Sequence, residues 1–114
     1  MRLWVDDIRP APEGYVWMKS VNEAKSAILN FENYKENLLD EWDFPPADIW
    51  ELAIEVIDID HDAGDYAKDG GDYIKLLDWL EETGRNYPIH IHSMNPVGRM
   101  NMEQIIKKNG WKLI

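Results

Sequence analysis

The chain has 114 residues, no cysteine, six tryptophans, 45% hydrophobic residues and a formal net charge of −10. This length suits one domain with a modest core, so we expect a single unit over residues 1–114. The negative charge argues against a broad nucleic-acid surface, and the lack of cysteine excludes disulfides, thiolate zinc sites and a cysteine nucleophile. No apolar run approaches the ~20 residues of a membrane span. No signal peptide is visible, so we expect a cytoplasmic protein without membrane contact.

Strand and helix patterns alternate along the chain. Short apolar runs bounded by turn residues predict five strands, at residues 2–5, 15–18, 53–59, 88–92 and 111–114. Apolar residues at helical spacing predict helices between them, at about residues 20–31, 33–42, 72–82 and 99–108. Ser20 and Glu23 form a capping box at the start of the first helix. Residues 96–98 are predicted to be a turn, and residues 47–52 fit either one further helical turn or an approach to the next strand.

This alternation favours an α/β fold with a mainly parallel sheet. The run at residues 53–59 is apolar enough to be covered on both faces. We therefore expect a single-domain three-layer sandwich with a five-stranded sheet. Trp4 and Trp79 are expected to belong to its core. In open α/β sheets, ligands bind beyond the carboxyl ends of the strands.

Polar residues directly follow three of the predicted strands. They are Asp6 and Asp7 after the first, Asp60, His61 and Asp62 after the third, and His92, Ser93 and Asn95 after the fourth. Because adjacent strands are only ~4.8 Å apart, side chains from two strand ends can share one cation. Carboxylates are hard oxygen ligands, so Asp6, Asp7, Asp60 and Asp62 predict a site for Mg²⁺ or Mn²⁺. A solvated acidic rim explains single aspartates, but not two groups that converge on one edge.

All three histidines of the chain, His61, His90 and His92, lie in these segments. His90 and His92 share a strand face, and His92 lies nearer the mouth of the site. We therefore expect His92 to reach substrate as general acid or base, and His90 to be buried. His61 is a second candidate for acid–base chemistry, and it also fits an exposed loop residue without a role. Asp58, two residues before Asp60, either orients a ligand or is a buried hydrogen-bonded acid.

Four further residues predict a phosphate site beside the acids. Ser93 and Asn95 can donate hydrogen bonds to phosphate oxygens. Arg99 lies in the first turn of the following helix, where exposed N–H groups favour anions, and Arg9 is the other positive group near the acids. Each also fits a plainer role, since Ser93 and Asn95 can cap turns and both arginines can form surface ion pairs.

The placement of these acids resembles the receiver domains of two-component signalling. There, an acidic pair corresponding to Asp6 and Asp7 binds Mg²⁺, an aspartate corresponding to Asp60 accepts a phosphoryl group, and a hydroxyl residue corresponding to Ser93 contacts it. The resemblance implies a receiver (flavodoxin)-like fold. Two features depart from it, because a loop replaces the helix after the first strand, and Lys112 lies inside the last predicted strand rather than after it.

Three longer motifs resemble the cyclic-phosphate processing receiver-like family, a divergent branch of receivers. They are LWVDDIRP at residues 3–10, DHD at residues 60–62 and HSMNPVG at residues 92–98. The resemblance covers most of the chain and implies action on cyclic phosphates, such as RNA 2′,3′-cyclic ends in RNA processing. Our leading hypothesis is therefore a metal-dependent phosphodiesterase whose partner is a small phosphorylated ligand, a cyclic nucleotide or an RNA terminus.

Two alternatives belong to other functional classes. In the first, the protein is a signalling receiver, and Asp60 forms a stable phosphoryl adduct rather than supporting turnover. In the second, it is a noncatalytic acidic protein that binds a phosphorylated ligand or a basic partner. The sequence predicts no particular oligomeric state.

Overall fold

The computed structural model describes residues 1–114 and contains one parallel sheet of four strands. The strands are β1 (Arg2–Val5), β2 (Tyr15–Met18), β3 (Val56–Ile59) and β4 (Ile89–Ile91). The helices are α1 (Val21–Asp40), α2 (Ala47–Trp50), α3 (Ile74–Glu82) and α4 (Pro96–Asn109), with a short 3₁₀ helix at Gly64–Lys68. The strand order is β2-β1-β3-β4, and every pairing is parallel. The predicted α/β class with a parallel sheet is confirmed.

One face of the sheet carries the core. Alternate side chains of β1, β3 and β4 point to that face and pack with α1, α3 and α4 in one cluster of 18 buried residues. The strand members of this cluster are Leu3, Val5, Ile57, Ile59, Ile89 and Ile91. The opposite face presents Trp4, Asp58 and His90, and no second layer of helix packs on it. The predicted three-layer sandwich is therefore wrong, because a loop without a helix joins β1 to β2.

The predicted fifth strand is reduced to a single bridge between Leu113 and Ile89. Two backbone hydrogen bonds make this bridge, from Ile89 N–H to Lys112 O at 2.9 Å and from Ile114 N–H to Ile89 O at 2.8 Å. Gly110 ends α4 in the left-handed conformation and turns the chain toward the first residue of β4, so the segment meets β4 only there. The five-strand count is therefore corrected to four.

Helix α1 is continuous where the sequence predicts two helices. The Ser20 hydroxyl accepts a hydrogen bond from the N–H of Glu23 at 3.0 Å, and the Glu23 carboxylate accepts from the N–H of Lys19 at 2.8 Å. This confirms the predicted start. The helix runs past Phe31 to Asp40 because no proline or glycine interrupts it.

Helix α4 begins earlier than predicted. Asn95 is its N-cap and accepts from the N–H of Gly98 at 3.0 Å, while Pro96 takes the first position, where a missing N–H leaves no hydrogen bond unmade. The predicted turn at residues 96–98 is therefore wrong, since these residues form the first turn of the helix. Of the two readings of residues 47–52, the structure shows the helical turn, α2.

No helix in the structure combines the length and the apolar character that crossing a membrane requires.

Candidate functional site

Backbone hydrogen bonds place three candidate side chains at one edge of the sheet. The pairing continues one residue beyond each strand: the N–H of Asp6 donates to β2 at 3.2 Å, that of Asp60 to β1 at 2.9 Å and that of His92 to β3 at 3.0 Å. These three residues follow the carboxyl ends of adjacent parallel strands. The regular backbone therefore fixes their relative positions, as the strand-end argument predicts.

Three carboxylates converge at this edge. Asp6, Asp7 and Asp60 each offer an oxygen, and these oxygens all lie within 4.8 Å of one another. Burial raises the pKa of Asp7, and the negative charges of Asp6 and Asp60 raise it further. The Asp60 carboxylate also accepts from the N–H of His61 at 2.8 Å. Asp62, the fourth predicted ligand, does not join this group.

The cluster fits a hard divalent cation. All three donors are carboxylates, the ligand type that Mg²⁺ and Mn²⁺ prefer. Gly64 gives the Asp7 carboxylate its space, since a Cβ at position 64 would lie 2.5 Å from Asp7 Oδ2. The backbone of Gly64 is also left-handed, with a φ of +55°. Gly64 was not among the residues predicted for the site, although a glycine two residues after the acidic run at residues 60–62 is typical of such a close approach.

Asp6 is the most constrained member of the cluster. Its side chain is only 1% exposed. Oδ1 accepts from the N–H groups of Ile8 and Arg9, both at 2.9 Å, and Oδ2 accepts from Nε2 of His92 at 2.8 Å. Burial opposes ionisation, but the hydrogen bonds from Arg9, Ile8 and His92 outweigh it and hold the pKa of Asp6 below its usual value.

The His92 ring bridges two carboxylates. Its Nε2 bonds to Asp6, and its Nδ1 lies 2.6 Å from Oδ1 of Asp58. Trp4 stacks on the ring with centroids 3.9 Å apart and planes 3° from parallel. Burial lowers the pKa of His92, but the hydrogen bonds to Asp58 and Asp6 outweigh it and raise the pKa overall. Because ionised carboxylates only accept hydrogen bonds, the protonated form of the ring, which can donate from both nitrogens, is the form that these two neighbours stabilise.

His90 on β4 and His92 just after it exchange the environments predicted for them. The His92 side chain is 10% exposed, whereas that of His90 is 43% exposed. The cause is Trp4 on β1, two strands away, which stacks on the His92 ring and covers it. Trp4 itself lies half-buried on the helix-free face, outside the core cluster to which the sequence assigns it.

Asp58 is a buried hydrogen-bonded acid that also orients its neighbours. Its Oδ1 accepts from His92 and, at 2.9 Å, from Nδ1 of His90. Burial raises the pKa of Asp58, but the bonds from His92 and His90 outweigh it and lower the pKa overall. The structure thus shows the buried hydrogen-bonded acid, and the orientation of a ligand by Asp58 stays a prediction.

His61 and Asp62 form a separate pair at the start of α4. Nδ1 of His61 lies 2.8 Å from Asp62 Oδ1, and the exposed Asp62 carboxylate also approaches the Asn95 amide nitrogen at 3.4 Å. The imidazole lies against Gly98, where any Cβ would overlap the ring. His61 is therefore held between the strand end and the first turn of the helix.

The four predicted phosphate ligands surround the same edge with different local partners. Ser93 is buried, and its hydroxyl accepts from the N–H of Asn95 at 3.1 Å. Arg9 donates from Nη1 to the carbonyl of His92 at 3.3 Å. Arg99 pairs with Glu103 at 3.2 Å and is about half exposed. Asn95 uses Oδ1 as the helix cap, so a ligand would meet its amide nitrogen, which donates to Asp62 at 3.4 Å. Their role as phosphate ligands stays a prediction.

The family of the chain follows from a comparison with family models. The model described as "Cyclic-phosphate processing Receiver domain" matches residues 1–44 and 47–108. The chain belongs to this family. The gap within the match, residues 45 and 46, lies between α1 and α2 in this cyclic-phosphate processing receiver domain, and the match ends at residue 108, near the end of α4. No curated protein and no solved structure matches the chain significantly.

Lys112 bears on the signalling alternative. Its carbonyl accepts from Ile89 at the start of β4, whereas the acidic cluster lies beyond the carboxyl ends of the strands. In this cyclic-phosphate processing receiver, the backbone of Lys112 therefore lies at the end of β4 that is opposite the cluster.

Proposed function

We propose that the protein is a divalent-cation-dependent phosphoesterase acting on cyclic nucleotide phosphates or on RNA 2′,3′-cyclic phosphate ends. The observation that carries this proposal is the convergence of Asp6, Asp7 and Asp60 within 4.8 Å at the carboxyl edge of the sheet. Membership of the cyclic-phosphate processing receiver family supports the substrate class. Small ligands and single RNA ends suit the net charge of −10 better than long nucleic acids do.

The three carboxylates would hold Mg²⁺ or Mn²⁺. When bound, such a cation supplies Lewis-acid polarisation of the phosphate ester. It also neutralises the cluster, so that an anionic substrate can approach an acidic edge. Asp7 and Asp60 keep the most acceptor capacity for this role, because three protein donors already bind Asp6.

Positive and polar groups beside the cluster would bind the phosphate oxygens. Arg9 lies in the loop after β1 and its guanidinium reaches the carbonyl of His92, just beyond β4, while Arg99 is exposed enough to exchange Glu103 for a phosphate. The N-terminus of α4, capped by Asn95, adds N–H groups that favour anions. The buried Ser93 hydroxyl completes the set. These groups would orient the cyclic phosphate with its ester bonds toward the carboxylates.

His61 is the better placed of the two candidate general acids or bases. Asp62 engages only its Nδ1, which leaves Nε2 for proton transfer, whereas carboxylates occupy both ring nitrogens of His92. In the reaction, a water oxygen bonds to phosphorus, one ring P–O bond breaks, and the leaving sugar oxygen takes a proton, which gives a phosphate monoester. A positioned His61 would contribute roughly 10²–10⁴ in rate.

Hydrolysis of 2′,3′-cyclic nucleotides tests the proposal, measured by chromatography with Mg²⁺ or Mn²⁺. We expect turnover by wild type and by Asp43→Asn, a control that removes an exposed carboxylate distant in sequence from the cluster. Asp7→Asn should be roughly 100-fold slower or worse, because it removes an electrostatic partner of the reaction. Equal rates for Asp7→Asn and wild type, or no turnover by wild type, would contradict the proposal. Tight binding without product would instead favour the noncatalytic alternative.

A further inference from the structure

A hydrogen-bonded relay connects the carboxylate cluster to the helix-free face of the sheet. It runs from Asp6 through the two nitrogens of His92 to Asp58, over distances of 2.8 and 2.6 Å. The three side chains are each about one-tenth exposed or less. Trp4 fixes the plane of the imidazole by stacking on it, and its indole N–H donates to the carbonyl of Arg9 at 2.8 Å. Each part of the relay is therefore oriented by a neighbour.

We propose that His92 is a positioning residue, which, held by Asp58, aims the Asp6 carboxylate at the cation site. The inference rests on the proposed function, since it concerns the cation of that same site. A carboxylate has about four lone-pair positions. Two backbone N–H groups occupy Oδ1 of Asp6, and His92 occupies one position on Oδ2. His92 thereby determines which lone pair remains for a cation.

Charge alone gives no reason for the loss of His92 to weaken cation binding. An imidazole ring carries no charge or a positive charge that repels a cation, so its removal would leave the affinity unchanged or tighten it. A positioning role requires weaker binding, because an Asp6 carboxylate held only through Oδ1 can turn its Oδ2 away from Asp7 and Asp60. Loss of a residue that orients a metal ligand typically weakens metal affinity 10–100-fold. The sign of the change therefore separates the two roles.

His90, two residues before His92, supplies a matched control. It bonds through Nδ1 to the same Asp58 oxygen as His92 does, but it makes no hydrogen bond to Asp6. His90→Gln thus removes a histidine from Asp58 and leaves the bond between His92 and Asp6 in place.

The test is a ¹H–¹⁵N NMR titration of the full chain with Mg²⁺, following the amides of Ile8 and Arg9, which bond to Asp6 Oδ1. We expect His92→Gln to shift both amides without Mg²⁺ and to weaken Mg²⁺ binding about tenfold or more. His90→Gln should match wild type in both respects. If His92→Gln does not fold, Asp58→Asn takes its place with the same expected weakening.

Unshifted amides, or Mg²⁺ affinity in His92→Gln equal to or tighter than that of wild type, would overturn the positioning role. Unchanged affinity in Asp58→Asn would overturn it as well. If wild type itself does not bind Mg²⁺, the proposed cation site fails, and the inference fails with it. Failure of the cation site can be told apart from failure of the positioning role, because it is seen in the wild-type titration alone.

Discussion

Gly64 lies so close to Asp7 that a Cβ at position 64 would be 2.5 Å from the Oδ2 atom of Asp7. This close approach brings the 3₁₀ helix after β3 against the loop after β1. The Asp7 carboxylate occupies the space that a side chain at position 64 would fill, and it lies beside Asp6 and Asp60. The backbone at this glycine is left-handed, so two separate constraints act at one position.

Gly64→Ala should therefore lose both stability and cation affinity. A left-handed backbone costs an alanine roughly 1–2 kcal/mol, and the new Cβ displaces Asp7. Gly84→Ala is the control, since Gly84 has a φ of +69° but nothing within 4 Å of its Cβ position. Thermal melting should show a comparable loss in both variants, whereas calorimetric Mg²⁺ titration should show weaker binding only in Gly64→Ala. Equal Mg²⁺ affinities in the two variants would contradict the role given to this contact.

Substitutions of Asn95 should separate two roles, that of its Oδ1 atom as the N-cap of α4 and that of its amide nitrogen as a donor to phosphate. Asn95→Ala should lower the free energy of unfolding by about 1 kcal/mol, because it removes the side-chain acceptor of the Gly98 N–H. Asn95→Ser should stay close to wild type in stability, since serine is an equally good N-cap. Both variants lose the amide nitrogen, so both should raise the KM for a cyclic phosphate. A wild-type KM in Asn95→Ser would remove Asn95 from the phosphate site.

The ion pair between Glu32 and Arg85 should make stability depend on pH. Arg85 donates to both oxygens of Glu32 at 2.8 to 3.1 Å, and Tyr87 donates to the same carboxylate. The bonds from Arg85 lower the pKa of Glu32 from its ordinary 4.5, against the opposing effect of burial. A lowered folded-state pKa means that this stabilisation is complete above pH 4.5 and is lost as the pH falls through the lowered value.

Glu32→Gln should therefore cost about 1–2 kcal/mol at pH 7, and the difference from wild type should disappear in acid. Urea unfolding at several pH values measures this. Glu55→Gln, which breaks an exposed pair with Arg2, should change stability less at every pH. If Glu32→Gln remained less stable than wild type in acid, the loss of stability would come from altered packing rather than from the lost charge.

Local patterns in the sequence predicted the four strands and the Ser20 cap because neighbouring residues determine them. These local patterns gave wrong predictions where contacts between residues distant in the sequence determine the structure. Residues 96–98 contain proline and glycine and so resemble a turn, yet they form the first turn of α4, where Gly98 leaves the space that the distant His61 ring occupies. The prediction of a fifth strand was wrong for a similar reason. The segment after α4 pairs with β4 only at Ile89, and this depends on the path of the chain rather than on the local sequence.

The part of the candidate site that is formed by residues directly after the strands was predictable from the sequence. The period of two and the parallel sheet bring Asp6 and Asp60 together without further information. The different exposures of His90 and His92 were not predictable this way, because both side chains lie on the same face of the sheet and bond to the same residue, Asp58. Only the position of Trp4 across the sheet decides that His92 is the buried one.

The central claim is that Asp6, Asp7 and Asp60 form a cation site, and thermal melting with and without Mg²⁺ tests it most directly. Burial and the charges of Asp6 and Asp60 raise the pKa of Asp7, so its ionised form destabilises the cation-free fold at neutral pH. Asp7→Asn should therefore melt above wild type in chelator. With free Mg²⁺ at 100 times its dissociation constant, wild type should gain about 2.7 kcal/mol, several degrees in Tm, and Asp7→Asn should gain much less. Equal shifts in wild type, Asp7→Asn and the control Asp43→Asn at matched ionic strength would contradict the account.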